Sequence, residues 1–443
     1  MVNTKKSNPF CEHTFYQENL KLLQKPVLIG YSGGLDSHVL LHFFAQLKQH
    51  YPQIKCRSVY IDHGLQAIST QWISHCQQIA KSLHIEHQTI TLSLDTQTGE
   101  SLEALARKAR YAAIKRYLLD DETLITAHHQ NDQAETLLLQ LFRGSGVAGL
   151  ASMPVISNNM GFQHWRPLLN YSQHTLCDYA QKHQLQPVED PSNHDYRFDR
   201  NYIRHELIPT LQERWPAITA TLSQVANNQA EASTIVDQYS QDKLTNVQGS
   251  TASQLSSRKL KKETFINQKA LIRLWIKNAG FLAPSTKKLQ HIINDVLESK
   301  IDASPLVTWG NVAIRRYRDN LYVMAKLSKP PSELKIPWDL KTDLVLTKYN
   351  LPTVEIDKLA SLKSILQDNN TTVTIRIRQG GERMQPTGHS QEKTLKSILQ
   401  EQAIPPWERE RLPLVFANEI LIYIHNIATI DPGKLIESLS EGH

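Results

Sequence analysis

A doubly wound, parallel-stranded α/β domain, followed by a helical domain and a small α+β C-terminal domain, is the architecture predicted by this 443-residue sequence. Short apolar runs alternate with helix-length segments through residues 1–216, the pattern of a parallel sheet covered on both faces. The first apolar run ends in a Gly-Gly turn that opens a helix, which puts a ligand at the carboxyl end of a strand. Beyond residue 216 the pattern becomes helical and basic, and strand-like runs return only after residue 370. At ~100–200 residues per domain, the length accommodates two to four such units. The shifts give an α/β domain at 1–216, a helical domain at 217–330, a linker at 331–369 announced by Pro330-Pro331-Ser332, and a C-terminal domain at 370–443.

Val27-Leu-Ile-Gly-Tyr31 is the first strand, and the segment from His38 to Ala45 has helical character. Arg57 to Ile61 is the second strand, Trp72 to Leu83 a helix, and Glu86 to Leu92 the third strand. From Leu102 to Leu119, Leu102, Leu105, Ala109 and Ala112 recur at helical spacing. Thr123 to Ala127 is the fourth strand and Asp132 to Phe142 the next helix, after which residues 154–216 read as irregular. Helices follow at Ala220 to Asp242, Gln268 to Ala279 and Lys287 to Leu297, and strands at Val373 to Ile377 and Ile420 to Ile424.

Composition removes several classes. The longest apolar runs fall short of the ~20 residues of a membrane span, and Met1 to Ser7 carries no secretory pattern, so a cytoplasmic protein is expected. Cys11, Cys56, Cys76 and Cys177 form no Cys-x-x-Cys pair, which leaves neither a disulfide framework nor a zinc or iron–sulfur site. The formal charge of +6 is compatible with a polyanionic partner. Arg258 to Lys277 carries seven basic residues (Arg258, Lys259, Lys261, Lys262, Lys269, Arg273, Lys277) against Glu263, a solvated face or a phosphate-binding one.

Chemistry concentrates at Ser32-Gly33-Gly34-Leu35-Asp36-Ser37. Small residues let backbone N–H groups point into a turn, and the helix that follows adds its positive end, which makes a phosphate cradle. The loop ends without the Lys-Ser/Thr of a Walker A motif and carries Asp36 instead. A carboxylate beside phosphate is repulsive unless a divalent cation lies between them, so Asp36 reads as a Mg²⁺ ligand, the alternative being a helix cap. On this loop the chain resembles the PP-loop, or N-type ATP pyrophosphatase, superfamily, whose Rossmann-like members activate an oxygen as its adenylate and release pyrophosphate.

Three further segments carry the resemblance: Tyr60-Ile-Asp-His-Gly-Leu65, Gly99-Glu-Ser-Leu-Glu-Ala-Leu-Ala-Arg-Lys-Ala-Arg-Tyr111, and Ala127-His-His-Gln-Asn-Asp-Gln-Ala-Glu-Thr136. With Arg166-Pro-Leu-Leu169, Glu189-Asp-Pro-Ser-Asn193, Phe198-Asp-Arg-Asn-Tyr-Ile-Arg204, Ile314-Arg-Arg-Tyr317, Arg378-Gln-Gly-Gly-Glu382 and Lys393-Thr-Leu-Lys396, the chain is similar over nearly its whole length to the tRNA(Ile)-lysidine synthetases. Where that family often has Asp-Asp, this chain has Asn131-Asp132, and Asn131 would serve as a helix cap.

The resemblance implies an ATP-dependent ligase that joins L-lysine to C2 of the wobble cytidine of tRNA(Ile) bearing a CAU anticodon, through an adenylated cytidine, changing codon reading from AUG to AUA. It implies ATP and Mg²⁺ as cofactors, tRNA and lysine as partners, and a homodimer as is common among related enzymes. Ser32, Gly33, Gly34, Leu35, Asp36 and Ser37 would hold ATP with Asp62 and His63. Asp36 and Asp132 would bind the metal, Arg107 and Arg110, at i and i+3 on one helix face, would clamp phosphate, and His128 or His129 would move a proton or orient AMP. Glu135 would bind lysine. Arg197, Arg200, Arg204, Arg315, Arg316, Arg378, Lys393 and Lys396 would hold tRNA, with Tyr196 and Phe198 as stacking surfaces. Rival PP-loop reactions lack their marks here, such as the paired cysteines of a thiolase. A non-catalytic RNA-binding module would have no need of Asp36, Asp132, Arg107 and Arg110 together.

Overall fold

Val27, Leu28 and Ile29 are each fully buried, and alternation along an extended strand divides them between two layers. The computed structural model describes residues 10–62, 69–92, 102–158, 160–189, 191–251, 253–300, 303–331, 333–368 and 371–440. Val27 and Ile29 join Val39, Phe43 and Leu47 in one core, whereas Leu28 joins Val59, Ile114 and Leu124 in another. Residues buried on both faces are what a central parallel strand requires.

Contacts divide the chain into two units, residues 1–236 and 237–443. The first unit is built on β1 (Val27–Gly30), α1 (Leu35–His50), β2 (Cys56–Asp62), α2 (Ser69–Ser82), β3 (Glu86–Thr91), α3 (Leu102–Tyr117), β4 (Thr123–Ile125) and α4 (Gln130–Phe142). Then come β5 (Ile156–Ser157), β6 (His164–Trp165) and α5 (Gln173–Lys182). The sheet order is β3-β2-β1-β4-β6-β5, parallel throughout except for β5 at the edge. The chain steps outward from β1 to β3 and then crosses back to β4 on the other side of β1. That reversal leaves a crevice beyond the carboxyl ends of β1 and β4, where such sheets bind ligands. Nine of the sixteen α1 residues are buried, Phe43 and Phe44 packing with Phe15, so the helix carrying the glycine loop is anchored along its length.

Two strands, α5, a 3-10 turn at Pro191–His194 and a further helical segment occupy the stretch read from sequence as irregular. β5 and β6 are two residues each, too short to show a period. From Asp199 the backbone is helical to Arg214, with a π turn over Ile203–Leu207.

In the second unit the helical region also carries a four-stranded antiparallel sheet that periodicity did not reveal: Gln254–Ser256, Asn320–Ala325, Val312–Tyr317 and Leu306–Trp309, in that order. The expected linker at 331–369 is a correction. Lys335–Pro337 pairs with Val373–Arg376 at the edge of a five-stranded sheet, and Trp338, Leu346, Val354 and Leu362 are buried in the core beneath it. Its leucines recur without strand or helix period because they project from turns and a 3-10 segment, Ile356–Leu362.

Candidate active site

The turn after β1 is held from within. Ser37 Oγ accepts from the Ser32 backbone N–H at 3.1 Å, meets Ser32 Oγ at 3.0 Å, and donates to the Gly34 carbonyl at 3.0 Å. Val188 N–H donates to the Gly33 carbonyl at 2.9 Å. Gly33 has φ +84°, and a Cβ there would lie 3.1 Å from Cys76 Sγ, so glycine meets a conformational and a steric demand together. Asp36 stands in the first turn of α1, and its Oδ1 is enclosed without a hydrogen-bond partner among the described residues.

β4 delivers the second half. His129 is the N-cap of α4: its Nδ1 accepts from the Asn131 N–H at 3.2 Å, while Asp132 Oδ2 accepts from the His129 N–H at 3.0 Å. The cap expected of Asn131 therefore belongs to His129, and the Asn131 side chain is instead bonded to Gln173. His129 Nε2 lies 3.4 Å from Asp36 Oδ2 and 3.5 Å from Asp132 Oδ2, which joins the two halves of the crevice. Burial pulls the His129 pKa down, but the hydrogen bond to Asp36 and the charges of Asp132, Asp36 and Glu135 outweigh it, and the net shift is upward.

Behind this pair lies a closed charge cluster. Arg200 Nε donates to Glu135 Oε2 at 2.7 Å and its Nη2 to Asp132 Oδ1 at 3.1 Å. Arg204 Nε donates to Glu135 Oε1 at 2.6 Å, and its Nη2 reaches Asp132 Oδ1 at 3.2 Å. Asp132 and Glu135 are buried, at 8% and 1% exposure, and only paired charges persist at that depth. Burial works to raise the Asp132 pKa, but His129, Arg200, His128 and the His129 N–H hold it down at about 2. The π turn follows the Asp199–Tyr202 turn that carries Arg200, and itself carries Arg204.

His128 differs from its neighbour. Its Nδ1 lies 2.7 Å from Thr126 Oγ1, which lies 2.8 Å from His164 Nε2. Burial, then Arg166, pushes His164 down to about 3; burial also takes His128 to about 3 against the opposing charge of Asp132. His38 and His87 are pushed down to about 4, again chiefly by burial. Unfolded imidazoles titrate near ~6.5 and take up protons that these folded ones refuse, so the stability they contribute is complete above that pH and falls as pH drops toward about 3. The urea midpoint is expected to fall between pH 7 and pH 5, and His164→Gln to flatten that fall; an unchanged slope in the variant would contradict the assignment.

The other sequence-predicted residues are distributed as follows. Arg107 and Arg110 are both exposed on α3, with Arg107 over the Tyr111 ring at 5.1 Å, and Tyr111 lies 5.9 Å from the His164 ring. Asp62 is buried at the end of β2, whereas His63 lies outside the described residues. Arg200 and Arg204 point into the cluster, which corrects their assignment to tRNA phosphates. Arg316 is a second correction: it is buried and donates to the Leu297, Ser299 and Arg318 carbonyls, so its guanidinium is spent inside the fold. Arg315 lies over the Trp407 ring at 5.2 Å. Arg197 is paired with Asp195 and Lys393 with Glu401; Arg378 and Lys396 have no ion pair among the described residues. Lys261 and Lys277 of the basic run are paired with Glu298 and Asp237, so part of that charge is locally neutralised. Sequence reasoning missed Thr126 and His164 and the pairing of Arg200 and Arg204 with Asp132 and Glu135, although carboxylates at i, i+3 and arginines at i, i+4 on two segments are a visible complement.

Comparison with known proteins gives three family matches: a PP-loop domain over residues 10–211, a TilS substrate binding domain over 255–322 and a TilS substrate C-terminal domain over 373–434. The chain is 41% identical to the tRNA(Ile)-lysidine synthase of Coxiella burnetii, covering 89% of this chain and 87% of that one. It is 37% identical to that of Serratia proteamaculans over 93% of each chain, and 34% identical to that of Legionella pneumophila over 92% of each. Among the described residues no helix is long and apolar enough to cross a membrane.

Proposed function

The chain belongs to the tRNA(Ile)-lysidine synthase family, and from that premise we propose how its own residues carry the reaction. It is an ATP-dependent ligase that forms lysidine at the wobble position of tRNA(Ile). The observation that carries the assignment of residues is the meeting of Asp36, His129 and Asp132 at the crevice between β1 and β4.

The cytosine carbonyl oxygen is a poor leaving group, and ATP converts it to a phosphate ester that an amine displaces with release of AMP. The turn of Ser32, Gly33, Gly34, Leu35 and Ser37 holds the triphosphate on a backbone fixed through the transfer, and Asp62 at the end of β2 meets the adenosine. Asp36, whose Oδ1 is enclosed and unpartnered among the described residues, would hold a hard divalent cation such as Mg²⁺. When bound there, Mg²⁺ spreads the negative charge of the departing pyrophosphate. Asp132 is the second carboxylate facing that place, its Oδ1 already taken by Arg200 and Arg204. His129 links the two acids and orients both. Arg107 and Arg110 meet phosphate from α3.

The mixed-sign cluster of Asp132, Glu135, Arg200 and Arg204 suits a zwitterion. Free lysine would open these pairs, its α-carboxylate replacing a carboxylate on the guanidiniums and its α-ammonium replacing a guanidinium on Glu135, which leaves the ε-amine for the base. Phosphates of a CAU-anticodon tRNA meet Arg197, Arg315, Arg378, Lys393 and Lys396. Incubation with labelled lysine, ATP, Mg²⁺ and tRNA(Ile) tests the reading, with label in tRNA and stoichiometric AMP expected; AMP formed without label transfer would remove lysine as acceptor. Lys396→Ala and Arg378→Ala are each expected to lower the slope of log affinity against log salt by about 0.7–0.9, and an unchanged slope would take that residue off the phosphate path.

A further inference from the structure

Arg166 and His164 are 5% and 1% exposed, and neither belongs to the phosphate loop or the charge cluster. Arg166 Nη2 lies 3.1 Å from His164 Nδ1, and its Nη1 donates to the Pro154 carbonyl at 2.8 Å. A guanidinium has no acceptor, so the direction of every bond downstream is fixed from this end. His164 Nδ1 must accept, which puts the ring proton on Nε2, facing Thr126 Oγ1 at 2.8 Å. Thr126 then receives that bond, and among the described residues the acceptor within reach of its own hydroxyl proton is His128 Nδ1, at 2.7 Å. His128 therefore carries its proton on Nε2, the nitrogen outside the chain of bonds. We infer that Arg166, His164 and Thr126 are positioning residues that lock His128 as an Nε2–H donor aimed into the crevice where the adenylated base and the amine meet.

The inference rests on the reading of that crevice as the reaction site. Both rings are neutral at neutral pH, because burial opposes their protonation. The charged groups acting on His128 are Asp132 of α4, Arg166 beyond β6, Arg200 of the helical segment that starts at Asp199, and Arg107 of α3. Fixing one tautomer through the remote ring nitrogen is how buried partners orient a working histidine.

The test uses the full chain labelled with ¹⁵N-histidine, the His128 signals being assigned by their loss in His128→Asn. Two-bond couplings are expected to show His128 protonated on Nε2 and bare on Nδ1, whether or not the enzyme turns over. Thr126→Val, which keeps the shape and removes the hydroxyl, is expected to mix the tautomers and lower kcat for pyrophosphate release by about 10²-fold, with KM for ATP within about twofold. Thr126→Ser is expected to restore both. A proton on His128 Nδ1 in the unaltered chain would overturn the inference, as would undiminished kcat in Thr126→Val or a loss that Thr126→Ser fails to reverse. If the unaltered chain releases no pyrophosphate with tRNA and lysine while the Nε2 tautomer is seen, the proposed function fails and the hydrogen-bond chain stands.

Discussion

Asp36→Asn is expected to reduce pyrophosphate and AMP formation by at least about 10³-fold while tRNA affinity stays within about threefold. The substitution keeps the size of the side chain and leaves the loop's internal bonds intact, since those run through Ser32, Ser37 and Gly34. What it removes is the charge on the enclosed Oδ1 and the anionic partner that His129 Nε2 meets at 3.4 Å. Backbone and helix end would still draw in phosphate, so ATP affinity should fall far less than the chemical step. Pyrophosphate release under single-turnover conditions, paired with filter binding of tRNA, separates the two effects. A variant that retains turnover would mean the metal is held elsewhere.

The second large effect is on stability. Replacing Arg200 and Arg204 together with Ala strands two carboxylates at 8% and 1% exposure. Breaking buried pairs of this kind costs on the order of 3–5 kcal/mol, because an uncompensated charge remains behind. Either single replacement should cost clearly less, since each arginine touches both acids and one can cover for the other. Acid behaviour supplies an independent mark. The Asp132 pKa is about 2 in the folded chain and near ~3.9 unfolded, so its contribution is present above the higher value and is lost as pH falls through the lower. In the double variant that acid-sensitive contribution should shrink, because the Arg200 charge is lost while His129 and its N–H remain. Urea unfolding at pH 7 and pH 3 measures both, and a midpoint within error of the parent would show that apolar packing of Ala134 and Leu138 on Ile203 and Ile208 alone holds the segments together.

Much of the first unit was legible because its strands are apolar runs bounded by turns and its helices are long. The glycine loop was legible because it sits between the two, and Asp36 because an acid is anomalous in a phosphate cradle. The hydrogen-bond chain behind His128 was not, because Thr126 and His164 belong to strand ends separated by 38 residues and no period relates them. Arg200 and Arg204 were read as surface cations since sequence carries no sign of burial; their inward turn depends on where the chain lays the segment beginning at Asp199 against α4. The core of residues 331–369 was missed for a related reason. Its leucines serve turns, and periodicity detects only residues that repeat.

Gly33 ties the reaction loop to a sulfur atom on α2. The room taken by Cys76 and the left-handed twist of the backbone are separate obstacles, so shrinking the thiol to a methyl would free space for a side chain at position 33 without making its torsion comfortable. Sequence drift at these two sites is consequently lopsided: the floor beneath the loop can be remodelled around a glycine, but no remodelling of the floor releases the glycine.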